Sequence, residues 1–163
     1  MSRFFDISND YSRYQTLILG SYHPSNIQVL LDLKERLIEK GFTRTYLAKD
    51  VIEEELDYEN KDKLAKFYSI IKFEMFKSDF NIFIFFGEPN KENESTIIEL
   101  SSLVNSEQFS KKINKTLLLF PSNFSSSMLE GFARSEKLNI FIYEDETQIF
   151  LKCFVFIKQN IVG

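Results

Sequence analysis

The sequence predicts an α/β sandwich, three layers deep, on a five-stranded parallel sheet. Short apolar runs rich in Ile, Leu and Phe alternate with longer segments whose apolar residues recur at helical spacing. Strands alternating with helices imply parallel pairing through right-handed crossovers. The length of 163 residues, 44% of them hydrophobic, suits a single domain with one substantial core.

The elements follow in order. Residues 1–14 are polar and aromatic without clear periodicity and read as an N-terminal arm or short helix. Thr16-Leu17-Ile18-Leu19-Gly20 is a short buried strand closed by a glycine. A helix follows, with Ser25 as its candidate cap and a stripe of Ile27, Leu30, Leu31, Leu33, Leu37 and Ile38. Gly41 stops it, with Lys40 in the last turn. Residues 43–48 form the second strand. The acidic segment from Asp50 to Glu59 reads as a solvated loop or helix face. A helix over about 62–77 would bury Leu64, Phe67, Tyr68, Ile71, Met75 and Phe76. The third strand is 81–86 and its helix about 95–105. The fourth strand, 115–120, is stopped by Pro121. A short helix at 127–135 precedes a fifth strand at 138–143. In the tail, 147–160, the length of the apolar pattern favours a helix over a strand.

Five such strands suggest the flavodoxin-like, Rossmann-like order 2-1-3-4-5. The topological switch then falls between the first and third strands, where open α/β sheets bind ligands. The loops leaving those strands should face one another, gathering Tyr22, His23, Ser95 and Glu99 around one crevice. Asp50 follows the second strand on the same side. Asp79 precedes the third and belongs to the opposite edge.

Composition removes several function classes. The net charge is −4 and the pI about 5.2, with no basic stripe, so a nucleic acid duplex is not an expected partner. His23 is the only histidine and Cys153 the only cysteine, which argues against a metal centre and forbids an internal disulfide; no cofactor is expected. Cys153 lies in an apolar setting that favours an inert thiol. No uncharged stretch is long enough to span a bilayer, and Met1-Ser2-Arg3-Phe4-Phe5-Asp6 lacks the apolar core of a signal peptide. The expected location is therefore cytoplasmic, away from membranes.

Glu99 is the candidate centre of chemistry. A carboxylate early in a helix at the carboxyl edge of the sheet can be a nucleophile, a general base or an acceptor for sugar hydroxyls. It can also simply occupy a favourable early-helix position. Gly20-Ser21 after a strand is a weak phosphate-loop hint, without the glycines of a dinucleotide fingerprint or the Lys of a P-loop.

Three segments together resemble the nucleoside 2-deoxyribosyltransferase-like superfamily, nearest in pattern to its 2'-deoxynucleoside 5'-phosphate N-hydrolases. Leu19-Gly20-Ser21-Tyr22-His23 resembles the family's first-strand turn. Ser95-Thr96-Ile97-Ile98-Glu99-Leu100 resembles its Gly-x-Gly-x-Glu-Leu segment. Ser126-Ser127-Met128-Leu129-Glu130-Gly131 resembles its Ser-Ala-Met-Ile-x-Gly segment, with a matching strand and acidic turn in Asn139-Ile140-Phe141-Ile142-Tyr143-Glu144-Asp145-Glu146. Order and approximate spacing hold over about residues 16–157. The same set of segments also resembles a group of archaeal domains. The resemblance implies that Glu99 attacks the anomeric carbon of a nucleoside or nucleotide. It implies that Gly20, Ser21, Tyr22, His23, Ser95, Ser126 and Met128 contact the substrate, and that a homodimer shares its sites. Such chemistry has a physical basis: cleavage of an N-glycosidic bond generates an oxocarbenium-like sugar, which a carboxylate stabilises or captures.

Departures from the family pattern are also legible. Its two glycines before the Glu are Ser95 and Ile97 here, and a β-branched Ile97 could fill the space a sugar needs. His23 replaces an Arg. An Asp on the second helix is replaced by Ile71, with Glu74 one turn away as a substitute. These observations frame three hypotheses: an N-glycosidic hydrolase or deoxyribosyltransferase with Glu99 as nucleophile; a catalytically degenerate nucleotide-binding or sensing domain; and a TIR-like NAD-cleaving or interaction domain, suggested by Glu99-Leu100.

Overall fold

The computed structural model describes residues 10–52, 59–87, 93–124 and 127–161. Its five strands are β1 (Gln15–Leu19), β2 (Arg44–Leu47), β3 (Phe80–Ile84), β4 (Thr116–Pro121) and β5 (Asn139–Tyr143). They form one parallel sheet in the order β2-β1-β3-β4-β5, the order the alternating pattern predicts. Among the described residues the α-helices are α1 (Ile27–Glu39), α2 (Lys61–Lys77), α3 (Glu94–Val104), α4 (Phe109–Lys112), α5 (Ser127–Ser135) and α6 (Thr147–Ile161). Short 3₁₀ turns at Ala48–Val51 and Ile113–Lys115 complete the described elements. None of the described helices is long and apolar enough to cross a membrane. The arm at 1–9 and most of the acidic segment, 53–58, lie outside the described residues.

Register sets the two cores. Ile18 lies beside Ile82, and Ile82 beside Leu117; these side chains share one face with Leu30, Leu33 and Leu37 of α1 and Ile149, Cys153 and Ile157 of α6. Leu19, Phe83 and Leu118 point the other way, onto Ile71 and Met75 of α2, Leu100 and Leu103 of α3, and Ala133 of α5. All residues of β1, β3 and β4 are buried, as expected for strands covered on both faces. Each fully buried Leu, Ile or Phe contributes about 1.5–3 kcal/mol. Phe85 stacks on Phe120 at 4.7 Å between ring centroids, and Phe124 packs on Phe120 at 4.9 Å.

Local chemistry explains the boundaries. Helix α1 starts one residue later than a Ser25 cap would place it: Asn26 is the N-cap, and the His23 carbonyl accepts from the backbone N–H groups of Asn26 (2.8 Å) and Ile27 (3.0 Å). Ser25 is instead engaged with the His23 ring. Gly41, at φ 105°, ends α1 in the left-handed conformation that glycine favours. Asn60 caps α2, its side chain accepting from the Lys63 N–H at 3.2 Å. Asp50 accepts from the Leu47 N–H at 2.8 Å and from the Lys34 ammonium at 2.7 Å, so it anchors the turn after β2.

Candidate functional site

The site lies at the carboxyl edge of the sheet, where the chain leaves β1 and its neighbour β3. A Cβ on Gly20 would stand 2.8 Å from Leu30 Cδ2 and 3.3 Å from the Ile84 carbonyl oxygen. The close packing of α1 and β3 on this turn thus leaves little room for a side chain, and the end of Leu30 would have to shift to admit one. Ser21 is buried, and its Oγ accepts from the His23 N–H at 3.2 Å. Tyr22 reaches back across the edge, its hydroxyl accepting from the Lys49 N–H at 2.7 Å. His23 is exposed. Its Nδ1 lies 2.7 Å from Ser25 Oγ and accepts from the Ser25 N–H at 3.2 Å.

On the β3 side the organiser is Asn93. Its side chain is fully buried and acts as a surrogate backbone: Oδ1 accepts from the Phe86 N–H and Nδ2 donates to the Phe86 carbonyl, both at 2.9 Å. Its own carbonyl accepts from the Ile97 N–H at 2.9 Å. Asn93 thus fastens the first turn of α3 to the end of the central strand. Two further contacts brace this edge. The Tyr143 hydroxyl donates to the Phe85 carbonyl at 2.5 Å, and the Asn123 side chain occupies the space above Gly87, where a Cβ would meet it at 2.8 Å.

With α3 held in this way, Glu99 faces a cavity of about 290 Å³ between α2, α3 and the β1 turn. Helix α2 supplies Leu64, Phe67, Tyr68 and Ile71 to its wall. The β1 turn supplies Tyr22, and α3 supplies Ser95, Ile98 and Glu99. Glu99 is only 9% exposed, and its Oε2 has no hydrogen-bond partner among the described residues. Burial pushes its carboxyl up to about 8, because an apolar surrounding disfavours the charged form. Unpaired buried carboxyl groups are costly to stability and concentrate at functional sites.

The structure brings three of the candidate residues, Tyr22, Ser95 and Glu99, to one cavity. Gly20 and Ser21 form the turn leading to Tyr22, and His23 lies outside the lining. Ser126 and the side chain of Met128 lie outside the described residues. Ile97 is not among the residues lining the Glu99 cavity: half-buried, it packs against the core on the α2–α3 face, and Ile98 lines the cavity instead. Glu74 does not stand in for a second carboxylate. Its Oε2 accepts from Gln15 Nε2 at 3.0 Å, at the beginning of β1 and the opposite end of the strand from Gly20. The walls contributed by Leu64 and Tyr68 are a correction to their reading as core, while Phe67, half-buried, lines the cavity and also packs against the core; only Ile71 and Met75 of α2 are fully covered.

No protein-family model matches the chain, and no curated protein matches it. Solved structures do. A 2-deoxyribosyltransferase from the psychrotolerant bacterium Bacillus psychrosaccharolyticus aligns over 83% of this chain and 90% of its own, with 13% identity and a TM-score of 0.57. The CMP N-glycosidase of Clostridium botulinum aligns over 87% of this chain and 99% of its own, with 20% identity and a TM-score of 0.54. At these identities the likeness is one of fold: the chain has the nucleoside 2-deoxyribosyltransferase-like fold.

Proposed function

We propose that the chain cleaves or transfers the N-glycosidic bond of a small nucleoside or nucleotide, with Glu99 as the nucleophile. The observation that carries this reading is the buried carboxyl of Glu99, its Oε2 unpartnered, facing a cavity shared with Tyr22 and Ser95. A desolvated carboxylate has no bonds to give up when it meets an electron-poor carbon, and positive charge developing on a sugar stabilises its ionised form. Binding to the transition state thereby exceeds binding to the ground state, which is the requirement for catalysis.

The test is base release from a panel of nucleosides and nucleotides, followed by chromatography. Glu99→Ala is expected to lose on the order of 10³-fold in kcat/KM; unchanged turnover overturns the assignment. The nucleophile must be ionised, so kcat/KM should rise about tenfold per pH unit below about 8 and level off above it. A profile that falls through the same pH would make Glu99 a proton donor instead.

A second reading, a nucleotide-binding or sensing domain without turnover, is favoured by Ile71, an apolar wall where the family pattern has a carboxylate. Ligand-induced thermal stabilisation with no base release would select it. The proposed function also includes a homodimer. Support comes from Leu151 and Val155, one helical turn apart on α6 and 58% and 39% exposed. Light scattering that shows only monomer at working concentration would remove it.

A further inference from the structure

We propose that the cavity at Glu99 takes an N-glycoside whose base already carries a positive charge, such as an N-alkylated purine or a pyridinium nucleoside. This rests on the proposed function and names its substrate class. Two independent features of the cavity lead to it.

The first is the character of the walls. Phe67, Tyr68 and Tyr22 contribute aromatic side chains to the lining, and Leu64 and Ile71 are aliphatic; the Tyr22 ring already has the Lys49 ammonium 5.9 Å from its centroid, which leaves Phe67 and Tyr68 as the aromatic groups for a ligand. Among this lining the carboxyl of Glu99 is the one group that bears a full charge when ionised. Aromatic side chains beside one desolvated carboxylate favour a cation, since ring quadrupole and carboxylate both attract positive charge. The buried Oε2, lacking a hydrogen-bond partner, is the atom such a ligand would satisfy.

The second is what the chemistry lacks. A neutral base leaves as a poor, anionic leaving group unless an acid protonates it. Among the described lining residues Glu99 supplies the only carboxyl; Ile71 occupies the place of a second, and Glu74 is bound to Gln15 at the far edge. A carboxylate acting as nucleophile cannot also be the proton donor for the same step. A cationic base removes the need. Glu99 forms a bond to the anomeric carbon as the carbon–nitrogen bond breaks. The electron pair of that bond passes to the ring nitrogen, and the base departs neutral with no proton added. Water then attacks the anomeric carbon, the sugar–Glu99 ester bond breaks with its electrons returning to the carboxylate, and one proton passes to solvent. The sum is cationic glycoside plus water giving neutral base, free sugar and a proton.

The experiment compares pairs that differ by one methyl group and one charge: 7-methylguanosine against guanosine, and 7-methyl-2'-deoxyguanosine against 2'-deoxyguanosine. Spontaneous release is subtracted. A binding arm titrates 1-methylnicotinamide and neutral nicotinamide into wild type, Glu99→Gln and Phe67→Leu by calorimetry. The expected result is a preference of about 100-fold or more in kcat/KM for the charged member, the scale of missing acid catalysis. Binding of 1-methylnicotinamide over nicotinamide should weaken at least about tenfold in Glu99→Gln and severalfold in Phe67→Leu. Equal release from both members of each pair overturns the substrate class and leaves the proposed function standing. Charge-selective binding without release from any glycoside overturns the proposed function and supports the cationic ligand. Absence of both charge-selective release and charge-selective binding overturns the inference.

Discussion

Two glutamates on the same side of the sheet have opposite surroundings. Glu74, near the end of α2, sits at the amino edge of β1 in a web of partners. Its carboxylate accepts from Gln15, whose amide also donates to Ser78 Oγ (3.0 Å) and accepts from Arg44 (3.0 Å). Asp79 takes the Gln15 backbone N–H at 2.8 Å, and the Lys112 ammonium donates to the Ser78 carbonyl. Glu99, at the carboxyl edge, faces Phe67 and Ile71 with an unpartnered oxygen. The same side chain ties the sheet down at one end and is left without a hydrogen-bond partner for its Oε2 among the described residues at the other. The proposed function rests on that difference along the strand axis.

The comparison is easiest to break at Glu99. Glu99→Gln keeps the shape and removes the proposed nucleophile, so base release should fall on the order of 10³-fold. If it does not, the two glutamates do not differ in the way their surroundings suggest. Next in size is Asn93→Leu, which strips the Phe86 N–H and carbonyl of their partners. It should cost about 3–4 kcal/mol in urea denaturation, and it would show that the edge carrying Glu99 also contains a rigid anchor. Third, Glu99→Gln should stabilise the fold. Between pH 4.5 and about 8 the folded chain holds a proton on Glu99 that the unfolded chain has released, so stability falls as pH rises through that window. Removing the carboxyl should restore up to about 3 kcal/mol at pH 7, with a smaller gain at pH 5. A melting-temperature difference that does not widen from pH 5 to pH 8 would contradict the burial argument. The smallest effect is Glu74→Ala, which should cost about 1 kcal/mol by the same denaturation measurement.

Much of this was legible in the sequence, and the exceptions share a cause. The strands β1, β3 and β4 are continuous apolar runs, and strands covered on both faces produce that signal. Strand order followed from the alternation, and it brought Tyr22, Ser95 and Glu99 to one edge. What escaped depends on helix rotation and on backbone satisfaction across the fold. Ile97 and Ile98 are adjacent and identical; only the phase at which Asn93 pins α3 decides which packs against the core and which lines the cavity. Asn93 itself reads as an ordinary loop residue, because its partner Phe86 is met through main-chain groups that carry no sequence signal. Ser25 and Asn26 can each cap a helix, and the carbonyl of His23 decides between them. Helix α4, four residues long, is too short to show a period.

The anchoring of Asn93 bears on how the protein can be produced. Asn93-Glu94-Ser95, Asn114-Lys115-Thr116 and Asn123-Phe124-Ser125 all fit the N-glycosylation acceptor pattern. Asn114 and Asn123 are exposed and could carry a glycan on the folded chain. Asn93 is fully buried, with its amide nitrogen already bonded to Phe86. An oligosaccharide added there during secretion would have to be accommodated inside the core, so glycan transfer and folding become competing events. A host that exports the chain through a glycosylating compartment would divide it into molecules that folded first and molecules that never can.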